Sequence, residues 1–229
     1  MKIDIISDVA CPWCFIGKKN LEKAMAQRPD IDFEVQWFPY QLHPEAPPEG
    51  YAYQESIQRK YGKQRIELMF QHITEVARAS GIDFHLDKIA RGANTLNAHR
   101  LLDFAWQQGG ADGPQNDLAE ALFKAYLCDG KFIGAIDVLA QVAGAAGLDA
   151  DQAREYLASD KDSDKVRAQI DYARRQGVSG VPAFSFNGMF AISGGQQPET
   201  FLSVIDRIAA KEKEAEPAEG AFCTADNCP

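Results

Sequence analysis

Ile3-Asp4-Ile5-Ile6-Ser7-Asp8-Val9-Ala10-Cys11-Pro12-Trp13-Cys14 is a β-branched apolar run of strand length that passes, after Asp8-Val9-Ala10, into a Cys-Pro-Trp-Cys step. Proline inside that step suits the first turn of a helix, where its missing N–H has no partner to lose. The stretch therefore reads as a strand, Ile3–Ser7, feeding a helix that runs to about Ala26. Two thiols in C-x-x-C at a helix start lie one turn apart, close enough to form a disulfide or share a proton. The unpaired N–H groups and dipole of the helix N-terminus favour thiolate over thiol at the first of them. Cys11 is accordingly the expected attacking nucleophile. Cys14, one turn inside, is the expected resolving thiol that attacks the mixed disulfide and releases the partner.

Half of a zinc site is the competing use of C-x-x-C, and it needs a second Cys or His pair at ligand spacing. Cys223 and Cys228 could supply one in principle. The strand before Cys11, the proline within the motif and the absence of a matching C-x-x-C favour redox chemistry, with no metal and no resident cofactor.

Outward from the motif, Pro29-Asp30 breaks the helix, and Phe33–Phe38 alternates as a second strand. Pro44–Gly50 is a Pro-rich connector, and from there to about Gln176 the pattern is helical, punctuated by Gly81, Gly109-Gly110, Gly130 and Gly147. Leu96–Trp106, Leu118–Leu127 and Ile136–Ala145 carry apolar residues three or four apart. Gly177-Val178-Ser179-Gly180-Val181-Pro182 then ends a helix and starts a strand with proline. An X-Pro bond is where a cis peptide is cheap, and a cis Val181-Pro182 would bring the Val181 backbone against the Cys11 sulfur; a trans proline would only begin the strand. Pro182–Phe186 and Met189–Ser193 flank Asn187-Gly188, a hairpin signal. Pro198 to about Lys213 is an amphipathic helix with Phe201, Val204, Ile205 and Ile208 on one face. The order is β-α-β, a helical insert, then β-β-α.

The 229 residues are 45% hydrophobic and 25% charged, which is ordinary for a globular chain, and the net charge of −9 lacks the clustered Lys and Arg that a nucleic-acid partner requires. The first ten residues carry two aspartates where a signal peptide would be apolar, and no run is long enough to span a bilayer. A cytoplasmic location without membrane contact is expected, where paired cysteines are more often catalytic than structural.

The combined motifs resemble the DsbA-like family, specifically the branch that holds FrnE-type disulfide oxidoreductases and 2-hydroxychromene-2-carboxylate isomerases. The pieces that carry the resemblance are Asp8–Cys14 with Gly17-Lys18, Asn94-Thr95, Ala98-His99-Arg100-Leu101, Gly177–Phe184 and Ser193–Gln196, within residues 1 to about 210. The resemblance implies an α/β fold: a thioredoxin-like domain from residues 1–45 and 177–213, interrupted by an all-helical insertion domain at 46–176. It also implies that Pro182 is the substrate-side wall beside Cys11 and Cys14. The glutathione-dependent isomerases of the branch usually carry serine where Cys11 stands, so two retained thiols argue for dithiol redox chemistry. Partners are then disulfide- or thiol-containing proteins, or glutathione as co-substrate. A glutathione-dependent isomerase and a client-binding module without turnover are the other readings.

Trp13 is a candidate for shaping the substrate surface, with Val181 and Pro182. Asn94 and His99 could line a glutathione pocket, although hydrogen bonding within packed helices is their plainer role. His43, His72 and His85 have no mutual ligand spacing and receive no function. Cys128 reads as a small buried hydrophobe. Residues 214–229 form a small, acidic tail whose C-x4-C pair, Cys223 and Cys228, is a candidate second redox pair, an incidental disulfide or a weak metal grip. The direction of the redox chemistry is left open, because a few tens of millivolts reverse it.

Overall fold

A computed structural model describes residues 1–215. Strand β1 (Lys2–Ser7) alternates buried Ile3, Ile5 and Ser7 with less buried Asp4 and Ile6, the period-two pattern of a strand packed hardest on one face. It leads into helix α1 (Pro12–Met25), with Cys11 as the extended N-cap residue and Pro12 opening the first turn. β2 (Glu34–Pro39) returns parallel to β1, pairing Lys2 with Glu34 through Ser7 with Pro39. The partners of the other edge of β1 come from the far end of the sequence. β5 (Ala183–Phe186) lies antiparallel to β1, with Ile5 opposite Phe184, and β6 (Phe190–Ser193) pairs with β5. The sheet order is thus β2-β1-β5-β6. The β5–β6 turn has Asn187 at φ 50° and Gly188 at φ 65°, the paired positive φ values that Asn-Gly supplies to a tight hairpin.

Helix α9 (Pro198–Ala215) packs beside α1 on the heavily buried sheet face, where the Phe201 ring meets Phe184 edge-on at 4.8 Å. Two glycines set how closely this layer closes. A Cβ on Gly17 would come within 2.9 Å of the Phe184 ring and 3.3 Å of Pro182, and one on Gly195 within 2.8 Å of the Trp13 carbonyl. Their lack of a side chain lets α1 lie directly on the Pro182 and Gly195 segments.

Between β2 and β5 the chain forms β3 (Tyr51–Ala52), α2 (Tyr53–Tyr61), α3 (Lys63–Ala79), β4 (Arg91–Gly92), α4 (Leu96–Gln107), α5 (Gln115–Phe123), α6 (Ile136–Ala145), α7 (Ala150–Ala158) and α8 (Ser163–Arg175). The insert departs from the expected all-helical composition in one place: Tyr51 pairs with Gly92 and Ala52 with Arg91 in a two-residue antiparallel bridge, too short to leave an alternating signature. The helix expected over Leu118–Leu127 is α5 followed by a wider π turn, Lys124–Cys128, in which the Asp129 N–H reaches back to the Lys124 carbonyl. Apolar spacing does not register that change of winding.

The insert and the sheet layer share one core. Phe15 of α1 stacks on Phe123 of α5 at 5.1 Å and meets Phe84 at 6.0 Å. The buried cluster runs without a break from Ile3 and Ile5 through Leu101 and Leu122 to Leu157. On the outer edge of β2, the Trp37 N–H donates to the Gln115 side-chain oxygen while the Gln115 amide donates to the Trp37 carbonyl, so a side chain of α5 caps the edge that no strand pairs.

Lys18 is 2% exposed, an unusual fate for lysine, because Glu22 and Glu120 both pair with it, the latter at 2.9 Å. Burial would raise the Glu120 carboxyl, but Lys124 and Lys18, with Lys19 beside them, outweigh it and hold the group at about 2 instead of 4.5. A carboxyl lowered by folding stabilises the folded state above its unfolded value and loses that contribution as pH falls toward the folded value. Glu120→Gln is therefore expected to flatten the acid side of the stability profile between about pH 4.5 and 2. Unfolding midpoints of the two proteins measured across that window check this; parallel profiles would refute it.

Candidate active site

The end of β1, the start of α1 and the residues before β5 converge on Cys11 and Cys14. Cys11 is 5% exposed and Cys14 0%, so the second thiol lies behind the first, and both are free thiols. Val181-Pro182 is cis, and the Cys11 thiol donates to the Val181 carbonyl at 3.7 Å, a contact across 170 positions of sequence. The loop that carries Cys11 is tied down locally: the Cys11 N–H donates to the Asp8 carbonyl at 2.9 Å and the Cys14 N–H to the Cys11 carbonyl at 3.1 Å. Burial first, and the adjacent Cys11 sulfur second, push the Cys14 thiol well up; the Ser7 hydroxyl and the Asp8 N–H oppose this without reversing it.

Asp8 stands in the sequence only as part of the motif, and nothing in its neighbours along the chain signals the contacts it makes. It is 1% exposed; one carboxylate oxygen accepts from the Ala10 N–H at 3.1 Å and the other from the Leu42 N–H at 2.8 Å. The His99 Nε2, itself without a hydrogen bond, lies 3.7 Å from it. Burial alone would raise the Asp8 carboxyl, but the His99 ring and the two N–H groups hold it below its usual value. Asp8 thereby fastens the segment ahead of Cys11 to the connector that leaves β2. Tyr53 from the insert faces the same centre, its phenol pushed up to about 12 by burial, by neighbouring Tyr51 and Tyr61, and by Cys11.

The other candidates fall into different places. Trp13 is half-buried and leans on the ring of His72 from α3 at 6.1 Å, so His72, given no role in the sequence, forms one side of the rim. His99 is 2% exposed and cannot line an open pocket; its partner is Asp8. Asn94 secures the connector instead, accepting from Gln41 at 2.9 Å and donating to the Ala46 carbonyl at 2.6 Å. It also borders a polar hollow of about 510 Å³ with Arg100, Ser159 and Arg167, whose lining does not include Cys11. Cys128 is half-buried, not fully buried as expected, because the π turn leaves it on the wall of a hollow with His85 and Lys124. Burial and the nearby Asp129 and Asp83 carboxylates push its thiol up to about 11. Cys223 and Cys228 lie outside the described residues. Among the described residues no cluster of His, Cys, Asp or Glu could hold a metal ion, and no helix is long and apolar enough to cross a membrane.

Strand, Cys-Pro-Trp-Cys helix, helical insert and cis-proline strand together define a DsbA-like thioredoxin fold, and residues 2–206 match the DSBA-like thioredoxin domain. The chain belongs to that family. It is similar to the Streptomyces coelicolor protein SCO1869, described as a probable DsbA oxidoreductase, with 28% identity and a TM-score of 0.81 over 100% of this chain and 96% of that one. YwbO of Bacillus subtilis is 26% identical over 218 residues, 89% of this chain and 94% of its own. The cytosolic disulfide reductase DsbM of Pseudomonas aeruginosa, solved with GSH, shares the fold at 16% identity and a TM-score of 0.65, covering 92% of this chain and all of its own. A 2-hydroxychromene-2-carboxylate isomerase does so at 16% identity and 0.71, over 95% of this chain and 100% of that one.

Proposed function

We propose that the chain is a dithiol–disulfide oxidoreductase in which Cys11 attacks a partner sulfur, Cys14 resolves the mixed disulfide, and the Val181-Pro182 backbone with Trp13 forms the wall against which the partner lies. The observation that carries this reading is the Cys11 thiol at the N-cap of α1, facing the Val181 carbonyl at 3.7 Å with a fully buried free thiol behind it. Attack by the outer sulfur followed by attack from the one sheltered behind it is the two-step exchange that moves a disulfide between molecules. Disulfide- or thiol-containing proteins, or glutathione, are the partners in this reading, and the cytosol its setting. The helical insert of residues 46–176 supplies the far rim of the site, through His72.

Redox titration in glutathione buffers followed by tryptophan fluorescence tests it, because Trp13 stands between the two sulfurs in sequence. A single reversible two-electron transition is expected, its midpoint giving the direction of catalysis. Absence of a transition, with tight glutathione binding, would replace this reading by the isomerase one. The same titration on a chain truncated after Ala215 tests Cys223 and Cys228 as a second exchanging pair: a displaced midpoint supports it, and an unchanged midpoint and turnover remove it.

A further inference from the structure

Ser7 closes β1 with its side chain on the heavily buried sheet face, 2% exposed, beside the Cys14 sulfur. Its backbone is accounted for: the Tyr40 N–H donates to its carbonyl at 2.9 Å. Its hydroxyl has no hydrogen-bond partner. A buried hydroxyl left without a partner is destabilising, so a well-packed strand end would be expected to carry alanine or valine there. The neighbouring sulfur is the one group whose chemistry would use it. Cys14 begins each resolving step as a buried thiol and must become a thiolate in a place that solvent does not reach. An O–H donor free to turn toward that sulfur would offset part of the cost of the buried charge.

We propose that Ser7 is a further catalytic residue of the redox centre, donating a hydrogen bond to the Cys14 sulfur as it turns thiolate and attacks Cys11. This rests on the reading of Cys14 as the resolving thiol. In that reading the Cys11 thiolate attacks an aromatic disulfide and displaces one arylthiolate, leaving a mixed disulfide on Cys11. The Cys14 proton passes to solvent, the Cys14–Cys11 bond forms, and the bond from Cys11 to the second aryl sulfur breaks. The dithiol loses two electrons and the reagent gains two. Ser7 acts only in the second displacement. The Asp8 backbone also favours a charged Cys14 sulfur, and it remains when Ser7 is removed.

The test is stopped-flow reaction of the reduced full-length protein with a nitrobenzoate disulfide, which releases one coloured thiolate per displacement, followed across pH. The titratable groups around the centre are Cys11 beside Cys14, Asp8 on the preceding loop, His99 of α4 against Asp8, and Tyr53 of α2 near Cys11; Ser7→Ala leaves all of them in place. The expected result is a first release at the wild-type rate, a second release slowed roughly ten- to hundredfold at neutral pH, and its pH midpoint moved upward. Ser7→Thr, which keeps the hydroxyl, is expected to recover most of the second rate. A second release in Ser7→Ala as fast as or faster than wild type, or both releases slowed alike, would overturn the role of Ser7 alone. A wild-type protein that releases a single equivalent would instead overturn the dithiol reading, and Ser7 with it.

Discussion

Cys14→Ser is expected to leave the first thiol exchange intact and to hold the protein at the mixed disulfide on Cys11, lowering steady-state turnover on the order of a thousandfold or more. Mass spectrometry of the quenched reaction should find the partner attached to the chain in stoichiometric yield. Cys11→Ser should be equally inactive and carry no adduct. The two positions are not interchangeable. Cys14 has no exposed surface, and burial holds its thiol protonated well above neutral pH, so it cannot take over the attack on an incoming disulfide. The pair of variants also separates the two enzymatic readings. The glutathione-dependent isomerases that the motif resembles usually carry serine at the first position, so a Cys11→Ser protein that kept its activity would remove the dithiol mechanism, whereas an inactive one that accumulates no adduct supports it.

What the sequence made legible was local chemistry. The Cys-Pro-Trp-Cys step, the proline at the start of β5 and the Asn187-Gly188 turn each act through neighbours in the chain, and each is found where its backbone preference places it. The segment Ile136–Ala145 is helical over those same residues, since its apolar spacing matches its burial. What escaped were contacts made across long separations by side chains of ordinary type. Asp8 gripping the Leu42 N–H, Gln115 capping the edge of β2 and His72 against Trp13 depend on how the insert closes over the sheet, and no periodicity encodes that. Lys18 stands in the sequence only beside Gly17 after the motif; it is buried because Glu120 arrives from α5. His99 lies against Asp8 and Asn94 holds the connector, contacts that composition alone could not separate from lining a pocket.

Arg100 shows the same gap between motif and contact, and its removal is the largest stability loss we expect. It was visible in the sequence as part of Ala98-His99-Arg100-Leu101, and in the structure it is 2% exposed. Its guanidinium makes no ion pair with a carboxylate among the described residues. Instead it donates to the carbonyls of Tyr156 at 3.1 Å, Leu157 at 3.3 Å, Ser159 at 2.6 Å and Lys161 at 2.8 Å, and to the Asn97 side chain at 2.9 Å. Four of these partners lie at or just beyond the C-terminus of α7, where the last carbonyls of a helix have no N–H of their own and carry the negative end of its dipole. A single rigid fork thus serves as the C-cap of α7 and fixes the link to α8. Arg100→Met keeps the bulk of the stem but removes every one of these charged hydrogen bonds at once, at about 3–5 kcal/mol. For a chain of this length that lowers the thermal midpoint by roughly 6–20 °C. Arg100→Lys keeps the charge and loses the planar fork, so it should fall between the two. Thermal unfolding of the three proteins measures this order. If Arg100→Met unfolds within a degree or two of wild type, water reaches the end of α7 and the arginine is not its cap.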